Sequence, residues 1–358
     1  MVINGQKKIL VIQNKRIGDV LIASLIASNM KQVYPDAVIH YLVYDYTTGV
    51  IQHNPNISLI LPIDEKKLKK VSNLFKLILQ IRKEKYDIIF DPYAKLQSRL
   101  ICLFSGAKMR IGFKKREKNP PLKFYTHSIR LLKEKTQPCG KSIEDRVHLV
   151  TSVFPIKAPI YRPEIYLSEK EKQYIKLNKY NKPVIMFGVL GSTPQKTMPY
   201  NYITEIIDFV TENYDVFVLF NYAPNQIEEA RTIYNNCKHK DAIIFDIYED
   251  SIRGFIQLMN KCDILIANEG GIVHIAKALN KPTFTIFSPY VLKEHWASFE
   301  DGITHTSVHL LEEKPELYTT TSRKKRREIE EDFTFLYSQL SPEIIIPKLT
   351  QFLNKQLK

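Results

Sequence analysis

The fold is decided by the stretch Ala267-Asn-Glu-Gly-Gly-Ile-Val-His274, which continues as Ile-Ala-Lys-Ala-Leu-Asn-Lys-Pro282 and Thr-Phe-Thr-Ile-Phe-Ser-Pro289. It predicts a buried strand over Asp263–Ala267, a turn with a carboxylate and two glycines, a short helix and a second buried strand. Glycines at such a turn let a ligand approach the backbone closely, and the free N–H groups that open a helix favour an anion. We therefore expect an anionic ligand here, and a diphosphate is the commonest one in an open α/β sheet.

The same alternation of apolar runs and amphipathic stretches extends over the whole chain. Apolar runs predict five strands on each side of a linker at 155–163 that contains three prolines: Lys8–Gln13, Ala37–Tyr44, Leu59–Ile63, Tyr86–Asp91, Met109–Phe113, then Val184–Val189, Val216–Phe220, Ala242–Asp246, Asp263–Ala267 and Thr283–Phe287. Amphipathic stretches predict the helices Val20–Val33, Lys67–Lys85, Gln97–Ser105, Ile143–Phe154, Pro199–Tyr214, Asn225–Cys237, Ser251–Lys261, Ile272–Leu279 and Ser341–Leu357. This order is typical of parallel sheets with helices on both faces.

We therefore predict an α/β protein with two doubly wound, Rossmann-like domains that face each other across a cleft. The N-terminal domain is expected over residues 1–160 and the C-terminal domain over 161–340. A terminal helix over 341–358 follows, which could pack back on the N-terminal domain. Ligands in such folds bind outside the carboxyl ends of the strands.

The composition is that of a globular protein with reduced cysteines. Of its 358 residues, 44% are hydrophobic and 25% are charged. No apolar run approaches the roughly 20 residues that span a membrane, and the first residues lack the apolar segment of a signal peptide. The four cysteines form no CxxC pair, which argues against a zinc site and a disulfide framework. We expect a cytoplasmic protein, with peripheral contact with the inner face of the cell membrane as an option.

The positive charge is concentrated in one region. The net charge is +14, and residues 61–142 contain 21 Lys and Arg against 7 Asp and Glu, so this region alone accounts for the excess. Such a region attracts anionic partners, whether nucleic acid, anionic lipid or a phosphorylated sugar. An ordinary solvated surface in a lysine-rich protein is an equally good interpretation.

The loop after the first strand, Asn14-Lys-Arg-Ile-Gly-Asp19, contains the candidate catalytic residue. Asp19 lies at or near the start of a helix, where a carboxylate can cap free N–H groups. Alternatively it is a general base, which the helix dipole keeps ionised and which must be placed against a substrate hydroxyl. The loop lacks the GxGxxG pattern of nicotinamide cofactor sites.

Two loops of the second half are candidates for binding a diphosphate. The loop from Gly188 to Pro199 offers the hydroxyls of Ser192 and Thr193 and the charge of Lys196, although it lacks the Walker spacing. The second loop is the opening turn, where His274 lies about one helical turn away from Glu269, Gly270 and Gly271. Taken singly, Lys196 is most simply a surface lysine and His274 a partly buried histidine bonded to backbone.

In this order the loops resemble the pattern of glycosyltransferase family 9, whose best-known members are the lipopolysaccharide heptosyltransferases. The resemblance spans roughly residues 7–289. Its elements are Arg16-Ile-Gly-Asp-Val20, Asp91 to Ser98, Gly106-Ala-Lys-Met-Arg-Ile-Gly112, Glu144-Asp-Arg-Val-His148, Lys196-Thr-Met-Pro199 and Glu269-Gly-Gly-Ile-Val-His-Ile-Ala-Lys-Ala-Leu-Asn-Lys-Pro282. Each element is weakly specific, and the ordered set is fairly specific.

The resemblance implies a GT-B fold and an inverting glycosyltransferase that needs no metal or other cofactor. It implies transfer of a heptose or related sugar from a nucleotide sugar such as ADP-heptose to a lipopolysaccharide core or similar lipid-linked acceptor. It implies Asp19 as the base, Lys196 and Ser192 near the diphosphate, and residues 269–274 at the donor. Since the basic half would face a phosphorylated glycolipid, we expect acceptor contacts from Arg16, Lys114, Lys115 and Arg116, and no nucleic acid partner.

The chain departs from the family pattern at three positions. Glu269 replaces the usual Asp, Gly270 replaces a hydroxyl residue, and Met198 replaces the usual Trp. These differences leave open a different donor sugar, or a non-catalytic relative that only binds nucleotide sugars. A nucleic-acid-binding protein is a lower-ranked alternative, because it explains the charge but not the phosphate-type loops of the second half.

Overall fold

The structure is a computed structural model that describes residues 6–114, 123–318 and 333–357. Contacts between Cα atoms divide the chain into two compact units, Met1–Tyr166 and Leu167–Lys358. This division falls six residues beyond the predicted end of the N-terminal domain at residue 160. Each unit is built around its own parallel sheet of six strands.

The sheet of the first unit has the strand order β3-β2-β1-β4-β5-β6, and all neighbouring strands are parallel. Its strands are β1 (Lys8–Ile12), β2 (Val38–Tyr44), β3 (Leu59–Ile63), β4 (Ile88–Asp91), β5 (Met109–Phe113) and β6 (His127–Ile129). Five of them are predicted by the apolar runs. The sixth, β6, was missed because three residues with a polar centre make no recognisable pattern.

The helices of the first unit are as long as the periodic patterns that predict them or shorter. They are α1 (Ile17–Ala23), α2 (Leu25–Val33), α3 (Glu65–Leu68), α4 (Val71–Lys83), α5 (Leu96–Phe104) and α6 (Lys141–Thr151). The predicted helix over Val20–Val33 begins three residues earlier and is divided at Ser24, whose hydroxyl donates to the carbonyl of Leu21 at 2.7 Å. Side-chain bonds of this type compete with the helical ladder.

A buried polar contact ties β4 and β5 to the chain that follows them. The hydroxyl of Tyr125 donates to Oδ2 of Asp91 at 2.7 Å, and burial raises the pKa of this carboxyl to about 6. Gly112 in β5 makes room for the tyrosine ring, because a Cβ there would lie 2.4 Å from a ring atom. The glycine of the Met-Arg-Ile-Gly element therefore has a packing role.

The sheet of the second unit has the order β12-β11-β10-β7-β8-β9, again parallel throughout. Its strands are β7 (Val184–Gly188), β8 (Phe217–Asn221), β9 (Ile243–Ile244), β10 (Ile264–Asn268), β11 (Thr283–Ile286) and β12 (His305–Val308). Strand β12 was missed because its sequence His-Thr-Ser-Val is mostly polar. The prediction of doubly wound α/β domains is confirmed, because helices alternate with the parallel strands of both sheets.

The helices of the second unit include the terminal helix. They are α7 (Glu169–Lys172), α8 (Tyr200–Asn213), α9 (Ile227–Asn236), α10 (Ile252–Lys261), α11 (Gly271–Ala278), α12 (Lys293–Trp296), α13 (Leu310–Glu313), α14 (Phe333–Gln339) and α15 (Pro342–Gln356). The sequence allows packing of the terminal helix on the N-terminal domain. Its apolar residues Ile345, Leu349 and Phe352 lie instead in the core of the second unit, where Phe352 contacts Phe284 of β11. No helix in the described ranges is long and apolar enough to cross a membrane.

Candidate active site

Asp19 lies in the first turn of α1, which begins after the short loop at the carboxyl end of β1. Arg16 occupies the N-cap position, so Asp19 is the third helical residue and does not cap the helix. Its side chain is nearly buried, and its Oδ1 accepts hydrogen bonds from Nζ of Lys15 at 3.0 Å and from Nη2 of Arg146 at 3.1 Å. The carboxylate is thus fixed by two cations rather than by backbone N–H groups, which corrects the capping interpretation.

Arg146 was not singled out as a functional residue from the sequence. It lies on α6, 127 residues from Asp19, and its side chain is only 11% exposed. Its Nη1 donates to the carbonyl of Ser142 one turn earlier, which orients the guanidinium along the helix. In the sequence, Arg146 is marked only by its place in the family element Glu144-Asp-Arg-Val-His148. That element does not indicate which residue the arginine contacts.

The predicted acceptor residues are only partly described. Arg16 is exposed after β1, and Lys114 is exposed after β5, where its N–H bonds the carbonyl of Ile129 at 2.7 Å. Both follow the carboxyl ends of their strands, and β4 separates those strands in the sheet. Two strand spacings amount to roughly 10 Å. Lys115 and Arg116 lie outside the described residues.

In the second unit, Lys196 and Glu269 form an ion pair. Lys196 ends a short 3₁₀ turn in the loop after β7, and Glu269 follows β10, which is the neighbouring strand. The lysine Nζ lies 2.8 Å from Oε1 of the glutamate. The lysine side chain is 32% exposed and the glutamate side chain 5% exposed, so the cation faces solvent and the carboxylate lies beneath it. The two loops that were predicted separately as phosphate-binding loops are therefore in contact.

Glu269 is held from its other side as well. Its Oε2 accepts hydrogen bonds at 2.9 Å from both the N–H and the hydroxyl of Ser288, which follows β11. The hydroxyl of Ser288 in turn contacts that of Tyr337 on α14 at 2.8 Å. Neither Ser288 nor Tyr337 is predicted as a site residue, because no local sequence pattern marks either of them. The carboxylate is thus a fixed support for the lysine.

The glycine turn before α11 leaves space at its first position. Gly270 is the N-cap residue with extended backbone, and a Cβ built there would meet no atom within 4 Å. The first N–H groups of α11, from Gly271 onward, carry the positive end of the helix dipole. His274 is nearly buried one turn later, and its ring centroid lies 6.1 Å from that of Trp296.

The loop that carries Lys196 is folded back on itself. A Cβ at Gly191 would lie 2.2 Å from the carbonyl oxygen of Lys196, so this position requires glycine. The hydroxyl of Thr197 accepts from the N–H of Gly191 at 3.0 Å and donates to the carbonyl of Thr193 at 3.1 Å. Ser192 is exposed and Thr193 half-buried at the tip of this loop.

A neighbouring polar side chain extends the same site. Asn268, the last residue of β10, is only 5% exposed, and neither atom of its amide has a hydrogen-bond partner among the described residues. Leaving such a group unpaired in a protein interior is unfavourable. Asn268 was not predicted as a site residue, because a polar residue at the end of an apolar strand is an ordinary sequence pattern.

The arrangement of the second unit suits an anion. A partly exposed lysine, a helix N-terminus and loop N–H groups converge at the carboxyl ends of β7, β10 and β11. Within the ranges that the structure describes, no group of three or more His, Cys, Asp or Glu side chains is placed to hold a metal ion.

Comparison with known proteins places these features in a family. The family model described as "Glycosyltransferase family 9 (heptosyltransferase)" matches residues 74–326. Lipopolysaccharide heptosyltransferase 2 of Escherichia coli K12 is 22% identical over 299 residues, which cover 79% of this chain and 83% of that protein.

Solved structures show the same fold. A glycosyl transferase family 9 protein from Veillonella parvula superposes with a TM-score of 0.80 at 16% identity, covering 99% of this chain and 100% of its own. The E. coli heptosyltransferase WaaC, solved with ADP, gives a TM-score of 0.70 at 13% identity, covering 98% and 99%. The predicted GT-B type of fold is thereby confirmed.

Proposed function

Since the chain belongs to glycosyltransferase family 9 and is a glycosyltransferase, we propose that it transfers a heptose from ADP-heptose to a lipopolysaccharide core or similar lipid-linked acceptor, with inversion and without a metal. The observation that carries this proposal is the contact of Lys196 with Glu269 beside the N-terminus of α11. It brings a cation and helix N–H groups to the same strand ends, as a leaving diphosphate requires. The related protein WaaC, solved with ADP, supports the adenine nucleotide.

The donor is proposed to bind the second unit. Lys196 faces solvent above Glu269, so its ammonium can contact a diphosphate oxygen without leaving the glutamate. The N–H groups of α11 and the hydroxyls of Ser192 and Thr193 would complete the anion site. His274 lies one turn into the same helix, and we assign it to the donor as well. Charge stabilisation from these groups takes the part that a divalent metal plays in other transferases.

The base is proposed to be Asp19 of the first unit. Among the residues that the structure describes, Lys15 and Arg146 both contact Oδ1, and we assign Oδ2 to accept the proton. Arg146 is then a positioning residue, because it holds the carboxylate in one rotamer and does not itself touch the reacting atoms. A base is effective only when its geometry is fixed in this way.

The reaction balances with these groups alone. The acceptor hydroxyl oxygen forms a bond to the anomeric carbon of the donor as its proton passes to Asp19. The bond from that carbon to the diphosphate oxygen breaks on the opposite face, which inverts the anomeric configuration. The negative charge that develops on the leaving ADP is met by Lys196 and the α11 N-terminus, and the products are the glycosylated acceptor and ADP.

One observation favours a second candidate, a relative with a different donor sugar. The space at Gly270 and the longer side chain of Glu269 alter the part of the turn where the family pattern has a hydroxyl residue and an aspartate. Turnover of a panel of nucleotide sugars by the purified chain, with a lipopolysaccharide core acceptor, separates the candidates. Product formed from ADP-heptose alone supports the first proposal, and product from another donor supports the second. No turnover of any donor contradicts both.

Nucleoside diphosphates are expected to raise the melting temperature of the protein without added divalent metal. A ligand that binds only the folded state at about 100 times its dissociation constant stabilises it by about 2.7 kcal/mol. The measurement is a thermal-shift panel of ADP, UDP and GDP in excess chelator. Stabilisation by ADP that disappears in chelator would refute the metal-free site, and a preference for another base would change the proposed donor.

Restoring the missing hydroxyl is expected to strengthen donor binding. A Cβ at position 270 would meet no atom within 4 Å, and the extended backbone there suits any residue. Gly270→Ser should therefore leave the melting temperature unchanged. One added hydrogen bond contributes about 0.5–1.5 kcal/mol, so the ADP dissociation constant should fall by up to about tenfold. Gly270→Ala is the matched control, since it fills the same space without a hydroxyl. Equal affinity of both variants would show that the position does not face the donor.

A further inference from the structure

Helix α4 exposes an apolar stripe on the surface of the first unit. Val71, Phe75 and Leu79 are spaced four residues apart, so they lie on one side of the helix. They are 81%, 60% and 42% exposed, whereas Ile78 and Ile81 of the same helix are buried against the sheet. Single exposed apolar residues are ordinary, but three in a row on one helix form a continuous surface. Helix α4 therefore has more apolar surface than the part that packs against its own unit.

The charges around this stripe have a single sign. From Lys66 to Lys83 the chain contains seven basic residues and no acidic one. All seven are exposed: Lys66, Lys67, Lys69, Lys70, Lys76, Arg82 and Lys83. Of these, Lys67 pairs with Asp64 at 3.7 Å. Three of the seven lie on α4 itself and the other four come shortly before its first residue, so exposed cations flank the apolar stripe.

Helix α5 continues the apolar surface beside α4. Leu96 and Phe104, at the two ends of α5, are 64% and 50% exposed. The carbonyl of Phe104 accepts a hydrogen bond from Nη1 of Arg82 at 3.1 Å, which fixes the end of α5 against the last turn of α4. The surface formed by Val71, Phe75, Leu79, Leu96 and Phe104 is named the α4–α5 face below.

We propose that the α4–α5 face docks the protein on an anionic lipid bilayer. An amphipathic helix with Phe and Leu on one face and lysines on the other lies in the plane of the membrane interface, with its apolar face buried about 5–10 Å. The seven cations complement the negative leaflet, and the apolar stripe enters between the lipids. A helix of 13 residues is about 20 Å long and lies along the surface without spanning the bilayer. This inference stands apart from the proposed glycosyl transfer, because it uses no residue of the proposed active site.

The test is partitioning of the full chain onto vesicles in the absence of donor and acceptor. Wild type is expected to bind vesicles of equal parts phosphatidylglycerol and phosphatidylcholine, and to release from them as salt screens the charges. Phe75→Ser with Leu79→Ser should reduce partitioning by about tenfold or more, since burying each side chain contributes at least that factor when complete. Val71→Ser is a milder variant at a site so exposed that folding does not depend on it.

The charge contribution is tested separately. Each lysine near an anionic leaflet contributes about fivefold, so Lys69→Gln with Lys76→Gln should reduce partitioning by about 25-fold. Matched controls are the exposed pairs Ile175→Ser with Leu292→Ser and Lys170→Gln with Lys179→Gln, which lie on the second unit and should bind as wild type.

Three outcomes would overturn the proposal. One is a failure of wild type to bind the anionic vesicles, and another is binding of the α4 variants at the wild-type level. The third is a pair of results for the serine variants: they lose self-association, measured by light scattering, but bind vesicles as wild type does. That result would mean that the α4–α5 face binds a second copy of the chain. Since all readouts are binding measurements, an inactive protein would not affect them.

Discussion

Asp19→Asn is expected to lower kcat by about 10²–10⁴-fold, which is the usual contribution of a positioned general base. Asparagine has the same size, and its Oδ1 can still accept hydrogen bonds from Lys15 and Arg146, but it cannot take the proton. Because Arg16, and not Asp19, occupies the N-cap, loss of a cap cannot account for the effect. ADP affinity should stay at the wild-type value, since the proposed donor residues lie on the other unit.

The chain offers a matched control for this substitution. Asp145 on α6 is as deeply buried as Asp19 and is paired with Lys141 at 3.0 Å. Asp145→Asn therefore removes a buried, paired carboxylate from the same unit without touching the proposed base. If both variants lose activity equally, a general loss of charge balance explains the result. Retention of more than about a tenth of the wild-type kcat by Asp19→Asn would remove Asp19 as the base, because it falls outside the range for such groups.

The sheets could be predicted well from the sequence, because buried parallel strands are continuous apolar runs. Ten of the twelve strands in the described part of the chain coincide with such runs, and the two missed strands, β6 and β12, are the edge strands on one side of each sheet. Strand β6 is short and only partly buried, and β12 is buried but has the mostly polar sequence His-Thr-Ser-Val, so neither has an apolar run. The division of the first helical pattern at Ser24 was also missed, since a side-chain bond to Leu21 leaves no periodic trace.

The sequence predicts which loops form the candidate site, but it does not predict which side chains pair within it. The rule that parallel strands end at one edge places the loops of Lys196 and Glu269 together once β7 and β10 are neighbours. It does not say that the two side chains form an ion pair at 2.8 Å. The bond from Arg146 to Asp19 joins residues 127 positions apart. Such contacts depend on how whole elements pack, which no local pattern in one sequence encodes.

The structure also gives a reason for one departure from the family pattern. Glu269 reaches Lys196 with one carboxylate oxygen and Ser288 with the other. Its Oε1 and Oε2 both accept hydrogen bonds, so the side chain is already committed to holding the lysine. This favours Asp19 over Glu269 as the base, and Glu269 is the next residue to test if Asp19→Asn retains its activity.

Lys196→Ala is expected to weaken ADP binding by about 1.5–3 kcal/mol, the contribution of a hydrogen bond to a charged group. The effect on kcat/KM should be larger, about 10²–10³-fold, because the lysine is proposed to meet charge that grows in the transition state. Lys348→Ala is the matched control: that lysine is 35% exposed against 32% for Lys196, and it pairs with Glu313 at 2.5 Å in the same unit. The control should bind ADP and turn over donor as wild type does.

An indirect effect of the same substitution can be separated from a direct one. Removing Lys196 leaves Glu269 without its cation, and the exposed negative charge would itself repel a diphosphate. Lys196→Ala combined with Glu269→Gln removes that repulsion and keeps an acceptor for the N–H of Ser288. If the lysine contacts the diphosphate, the double variant stays as weak as the single one. If the double variant regains wild-type affinity, the lysine only neutralises Glu269, and the leaving charge must be stabilised by the N-terminus of α11 alone.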